Sequence, residues 1–240
     1  RSMVLGGSAM RSAADAVIQN GKKFAAHLME ADANDIEFFD GVFRIAGTDR
    51  SMAITEIAKA SFKPAGIPSE LGVGLGGAGA YSAVQPSFPN GCHICEVDID
   101  PETGTLVLDK YVVVDDIGVV INPMLADGQI HGGVAQGVGQ ALTENVLFHE
   151  STGQLVTGSL MDYAVPFADI LPSFEMAFHE VPCQSNPIGV KGAGEGGTVG
   201  ATPAVISAIL DALGPYGVTD IEMPATSQRI WETIKKAQMN

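Results

Sequence analysis

Apolar residues recur at spacings of three and four from Ser8 to Glu30, where Met10, Ala14, Val17, Ile18, Phe24, Leu28 and Met29 fall on one side. That period predicts an amphipathic helix after a Gly-Gly-Ser start. Ile36 to Phe39 and Val42 to Ala46 flank Asp40-Gly41, a favoured two-residue hairpin turn, and Ile54 to Phe62 reads as a short second helix. Residues 64 to 91 are rich in glycine, proline and serine and hold no period, so they read as a long connection. From Cys92 the pattern alternates. His93 to Asp100, a turn at Pro101 to Gly104, and Thr105 to Asp115 predict an antiparallel hairpin.

Gly128 to Val146 follows as a helix that carries Gly128, Gly132, Gly133, Gly137 and Gly139. Glycine is costly inside a helix, so that face must meet neighbouring backbone or a ligand. Phe174 to Glu180 reads as a strand. Thr202 and Pro203 read as N-cap and first position of a helix over Ala204 to Leu213, and Ala225 to Ala237 as a terminal helix bearing Trp231. Hairpins and separate helices, with no internal repeat, indicate an α+β fold rather than alternating βαβ units. Three regions follow from the pattern: 1–63 (helix, hairpin, helix), 64–91 (connection) and 92–240 (hairpin and glycine loop).

The chain has 240 residues, 46% of them hydrophobic, with a mean hydropathy of +0.21, which is enough for a sizeable core. A formal charge of −15 argues against nucleic acid and anionic membranes as partners. No apolar run approaches the roughly 18 residues that span a bilayer, so no membrane insertion is expected. Three cysteines make no disulfide framework, which favours a reducing compartment, by default the cytoplasm. Cys92 and Cys95 form a C-x-x-C, but the segment alternates like a strand and no second pair supports a metal site.

Residues 192 to 200 contain five glycines in nine positions around a single carboxylate, Glu195. Such a bare ribbon suits a chain pressed closely against something bulky. On its own, Glu195 also reads as a solvated loop residue balanced by Lys191. Asp115 and Asp116, adjacent on a strand, point to opposite faces and read as structural. His131 has no histidine partner at ligand spacing and reads as packed or hydrogen-bonded. Gly72 to Gly77 satisfies G-x-G-x-x-G without a following helix, so a dinucleotide site is not expected, and no G-x-S-x-G elbow is present.

Four ordered blocks resemble the large subunit of molybdenum hydroxylases of the xanthine dehydrogenase, aldehyde oxidoreductase and carbon monoxide dehydrogenase family. They are Val112 to Pro123, Gly128 to Leu142, Thr157 to Pro166, and the segment Val190-Lys-Gly-Ala-Gly-Glu-Gly-Gly-Thr-Val-Gly200. The resemblance covers nearly the whole chain but only the last third of a typical large subunit. It implies the cofactor-binding fold of the aldehyde oxidoreductase type, and a molybdenum–molybdopterin cofactor with the cytosine dinucleotide form as one option. It implies Glu195 as the general base facing the metal's equatorial oxygen, with no protein ligand to the metal. It implies cofactor contacts from Gln136, from Ser2 and the Gly6-Gly7-Ser8 helix start, and from Lys191, Gly192, Ala193 and Gly194. Lys191 is equally open to a structural ion pair. The expected partners are the N-terminal part of the large subunit, a [2Fe-2S] small subunit and an FAD-carrying medium subunit. The substrate is then a small molecule: carbon monoxide, an aldehyde or an N-heterocycle. The other class of function left open is a non-catalytic assembly module contributing half of a cofactor cleft.

Overall fold

The computed structural model describes residues 2–63 and 65–239. They divide into two compact units, Arg1–Pro86 with Ser185–Ile188, and Ser87–Gln184 with Gly189–Asn240.

The first unit is built on helix α1 (Ser8–Leu28), strands β1 (Ile36–Phe39), β2 (Val42–Ile45) and β3 (Ser51–Ala53), and helix α2 (Ile54–Ser61). The three strands form an antiparallel sheet in that order, and Phe39 pairs with Val42 across the turn. Asp40 and Gly41 both have positive φ (46° and 74°), the backbone that a tight hairpin of this hand requires. Phe24, Ala25, Ile36, Phe43 and Ile57 close the core, with Phe43 seated on Gly21 of α1, where a Cβ would lie 2.3 Å from its ring. Met10, expected on the apolar face, is instead 74% exposed. The glycines of 72–79 do not serve a nucleotide turn: Gly77 and Gly79 lie directly on the backbone of α1 at Ala13.

The expected helix start at Gly6-Gly7-Ser8 is corrected. A π-helical turn over Met3–Gly7 runs straight into α1, and the Ser8 N–H is bonded to the Leu5 carbonyl. These residues lie inside a continuous helix, so their amides are not a free N-terminal cradle.

The second unit contains β4 (Asn90–Ile99), β5 (Leu106–Asp116), α3 (Pro123–Leu142), β6 (Phe174–Phe178), α4 (Gly196–Leu213) and α5 (Ser227–Gln238). β4 and β5 form the expected hairpin, with a bulge between Glu96 and Val97. β6 joins β5 in parallel, so β5, α3 and β6 make one βαβ crossover within an otherwise α+β fold. The pattern missed it because the strands stand some sixty residues apart and only pairing reveals their direction. Tyr111, Val113, Ile130, Val134, Val138, Val205, Ile209, Leu213, Ile230 and Ile234 are at most 1% exposed and form one core. Each such aliphatic side chain contributes about 1.5–3 kcal/mol by leaving water.

Helix α4 begins at Gly196, so Thr202-Pro203 is not its start and Pro203 lies inside it. Packing against α3 overrides the local Thr-Pro signal. A Cβ on Gly197 would fall 2.8 Å from the Ile130 carbonyl, and one on Gly137 would fall 2.7 Å from Ala201 Cβ. The backbones therefore touch, and Thr198 and Thr202 donate to the Gly133 and Gly137 carbonyls of α3 at 3.0 and 3.3 Å. The glycine face of α3 thus meets the α4 backbone at Gly133 and Gly137 and the Pro166 and Glu144 side chains at Gly139, whereas Gly128 and Gly132 face open space. By length and mean hydropathy (1.3) the 21 residues Gly196–Tyr216 are apolar enough to cross a membrane, contrary to the expectation above. Ala201, Val205, Ile209 and Leu213 of that stretch are nevertheless fully buried in the core of this unit.

The end of β5 anchors the segment that leads into α4. Gly118 bridges Val190, the Lys191 N–H donates to the Ile117 carbonyl at 2.7 Å, and the Val119 N–H to the Gly189 carbonyl at 2.9 Å. Gly118 and Gly189 have positive φ, and a Cβ on Gly118 would strike the Gly189 carbonyl at 2.3 Å. Asp116 clasps this junction: Oδ1 accepts from the Gly118 and Val181 N–H groups at 2.8 and 3.1 Å, and Oδ2 accepts from Lys191 Nζ. Burial alone would push this carboxyl up, but the hydrogen bonds from Lys191 and the two amides outweigh it and hold it below its ordinary value.

Two outcomes follow. Gly197→Val should destabilise the chain by at least about 1–3 kcal/mol through overpacking, whereas Gly132→Ala should stabilise it by up to about 1 kcal/mol; urea denaturation measures both. The depressed Asp116 carboxyl contributes stability that is complete above its unfolded value of about 4 and is lost as pH falls through its folded value. Denaturation midpoints of Asp116→Asn should accordingly fall less steeply than wild type below about pH 4.

Candidate functional site

Glu195 stands at the N-cap position of α4, exposed, at the point where the anchored segment ends. No side chain caps the first turn of the helix. The Glu195 carboxylate makes no hydrogen bond or ion pair among the described residues. Lys191, the expected counter-charge, is committed to Asp116 instead. Glu195 borders a cleft of about 260 Å³ whose walls include Pro89, Asn90, Gly91, His93, Asp115 and Val199. Between Lys191 and Glu195 the ribbon is unencumbered: a Cβ on Gly192 would meet nothing within 4 Å, and one on Gly194 only Gln129 Oε1 at 3.8 Å. Packing within this unit therefore does not require glycine at either position.

Gln136 lies on α3, exposed, beside the first turn of α4, where its amide is 3.1 Å from Thr198 Oγ1. The contact is made by Gln136 Oε1, which accepts from the Thr198 hydroxyl that also lies 3.0 Å from the Gly133 carbonyl. That leaves the amide NH2 of Gln136 without a partner among the described residues. Gln136, Lys191, Gly192, Ala193, Gly194 and Glu195 thus belong to the second unit, linked through Thr198. Ser2, Gly6, Gly7 and Ser8 belong to the first. Ser2 and Gly6 are exposed, Ser8 is buried, and Gly7 is backed by Ile188 and Met3.

Sequence reasoning overlooked a polar chain behind Glu195. The Tyr111 hydroxyl is 2.7 Å from His93 Nδ1, and His93 Nε2 is 3.3 Å from Asp115 Oδ1. Burial, then the neighbouring Cys95 and Asp115, raise the Tyr111 phenol above its usual range. Asp115 and Asp116 do point to opposite faces, but only Asp116 is fully partnered; Asp115 Oδ2 is buried without a hydrogen bond. The hairpin register held the signal. Gly91 pairs with Asp115 and His93 with Val113, which puts His93 and Asp115 on one face. Counting back from the turn misses this, because the bulge at Glu96/Val97 shifts the pairing by one residue and flips every side chain beyond it.

The C-x-x-C behaves as strand. Residues three apart in a strand face opposite ways, and burial, aided by Glu96, pushes the Cys95 thiol up to about 11, far from a ready thiolate. His131 is hydrogen-bonded through Nδ1 to the Asp127 carbonyl at 2.8 Å and packs on Phe174. Among the described residues no three His, Cys, Asp or Glu side chains cluster to hold a metal ion.

Residues 1–172 match the family model of the molybdopterin cofactor-binding domain. Over 98% of its length the chain is 37% identical to the nicotine 6-hydroxylase large subunit of Paenarthrobacter nicotinovorans, and over 98% it is 35% identical to the carbon monoxide dehydrogenase large chain of Hydrogenophaga pseudoflava. It spans 29% of the length of each. The crystal structure of Cu,Mo-CO dehydrogenase in its carbon monoxide-reduced state superposes with a TM-score of 0.93 at 30% identity, over 100% of this chain and 30% of the other. With the model matching well over half of its residues, the chain belongs to the molybdopterin cofactor-binding family of molybdenum hydroxylases that includes xanthine dehydrogenase and carbon monoxide dehydrogenase.

Proposed function

We propose that the chain is the C-terminal, cofactor-binding portion of a molybdenum hydroxylase large subunit and that Glu195 is its general base. The observation that carries this reading is a carboxylate without a partner at an uncapped helix start, reached through glycines that the surrounding protein does not require. A bulky planar cofactor fits that arrangement: the open positions at Gly192 and Gly194 let it lie against the bare peptide. Lys191, Gly192, Ala193 and Gly194 would then hold it through backbone contact, with the Lys191 ammonium keeping the ribbon in place through Asp116. Gln136 would offer its amide N–H to a ring acceptor, its oxygen being held by Thr198. Ser2, Gly6, Gly7 and Ser8 are proposed as further contacts, without the free helix start first expected of them.

When bound, molybdenum and its pterin, whether or not in the cytosine dinucleotide form, supply the two-electron redox chemistry. Glu195 accepts, at a carboxylate oxygen, the proton that a water-derived nucleophile gives up, and holds it while the substrate carbon is oxidised. With no cation bound to it, the carboxylate is available for that transfer. The substrate class is a small molecule (carbon monoxide, an aldehyde or an N-heterocycle), which the relatives' names support in two of its three forms. Companion polypeptides are proposed because the relatives named here are large subunits about three times as long: the N-terminal part of the large subunit, an iron–sulfur subunit and a flavin subunit. The three free cysteines agree with a cytoplasmic setting.

In the full-length protein with its companions, Glu195→Gln should leave molybdenum and pterin content unchanged and lower turnover by about 10²–10⁴-fold, the usual contribution of a general base. Metal analysis by mass spectrometry and steady-state assay measure the two. Near-normal turnover would overturn the assignment. Failure of molybdenum and pterin to co-purify with the wild type would favour the assembly-module reading.

A further inference from the structure

Among the described residues Asp115 Oδ2 is a buried carboxylate oxygen with no hydrogen-bond partner, on a residue only 5% exposed. An unsatisfied charge in that position is costly unless something nearby answers it. The other oxygen, Oδ1, lies 3.3 Å from His93 Nε2. Buried Tyr111 keeps its proton and donates it to His93 Nδ1, which places the imidazole hydrogen on Nε2, facing Asp115 Oδ1.

The surrounding backbone is cut away to admit this pair. A Cβ on Gly91 of β4 would lie 1.9 Å from Asp115 Oδ1, and one on Gly200 of α4 would lie 2.6 Å from the His93 ring. Oδ2 itself comes within 3.8 Å of where a Cβ would stand on Gly196, the first residue of α4. The first turn of a helix carries amides without intrahelical acceptors and the positive end of the helix dipole. In α4 no side chain caps that turn, and the residue at the N-cap is Glu195.

We infer that Asp115 is a positioning residue for Glu195: its carboxylate, beside His93, lies against the N-terminal turn of α4, answers the positive end of that helix by charge rather than by a hydrogen-bonded cap, and so steadies the backbone from which Glu195 projects. A glutamate folded back onto its own helix start would be withdrawn from the cleft. A negative charge supplied from β5 answers the positive end of the helix and leaves the Glu195 carboxylate free. The contact of Gly197 with α3 stops the turn from shifting away from Asp115. The catalytic consequence rests on the reading of Glu195 as the base; the positioning itself does not.

The test uses Asp115→Asn, which removes the charge but keeps the shape, and His93→Gln, which weakens the grip on Oδ1, both in the full-length protein with its companions. Hydrogen exchange should quicken about fivefold at the amides of 196–199 and stay unchanged over 205–213, the effect expected from loss of a charge that answers the helix start. Turnover should fall on the order of 10- to 100-fold with KM and molybdenum content kept, as for a displaced catalytic group. Unchanged exchange at 196–199 in both variants would overturn the inference, as would faster exchange with full turnover in a protein that Glu195→Gln inactivates. Should Asp115→Asn fail to fold, His93→Gln decides by the same criteria. Glu195→Gln retaining activity would overturn the base assignment alone and leave the exchange result standing.

Discussion

The backbone contact between α3 and α4 sets where everything else in the second unit stands. Gly133 and Gly137 on one helix face Gly197 and Ala201 on the other, too close for any larger side chain. Thr198 and Thr202 then lay their hydroxyls on the Gly133 and Gly137 carbonyls one turn apart. Glycine costs helix stability at each position, roughly 0.5–1 kcal/mol relative to alanine. The close approach and the hydroxyl contacts offset that loss, and they give register as well as stability. Because Gly197 is locked, the residue two before it, Glu195, inherits a defined position.

Two adjacent aspartates divide the work of holding the loop and the helix start. Asp116 faces one side of β5 and gathers Lys191 with the Gly118 and Val181 amides, so the chain enters the glycine ribbon from a fixed point. Asp115 faces the other side and reaches toward Gly196. The pleat of a single strand thus sends one carboxylate to each end of the short segment 191–196. Such an arrangement leaves Lys191 neutralised and Glu195 unpaired, the opposite of the simple pairing that closeness in sequence suggests.

Much of this was legible. The 3.6-residue period located α1, the Asp40-Gly41 signal located its hairpin, and alternation located β4 and β5 with Cys92 and Cys95 as strand residues. The cost of five glycines on one helix announced close contact on α3. What escaped depends on pairing across distance. Nothing local marks the bulge at Glu96/Val97, yet it decides that His93 and Asp115 share a face. The Thr202-Pro203 signal is a sound helix start in isolation, and only the embrace of α3 carries α4 seven residues further back. Likewise Gly6-Gly7-Ser8 looks like a start until the preceding turn is seen to be helical. The glycine ribbon and Glu195 stood out by composition and by family resemblance, whereas the Tyr111–His93–Asp115 chain required the register.

The parts of the second unit therefore converge on one feature: an unpaired carboxylate presented from a rigid helix start beside a peptide ribbon stripped of side chains. A crystal structure of the full-length protein with the companions proposed for it and with molybdenum cofactor bound tests this most directly. The account predicts the cofactor lying against Gly192 to Gly194 with the Glu195 carboxylate turned toward its metal end. Finding Glu195 in an ion pair with a basic residue of a companion chain, with the cofactor elsewhere, would contradict it.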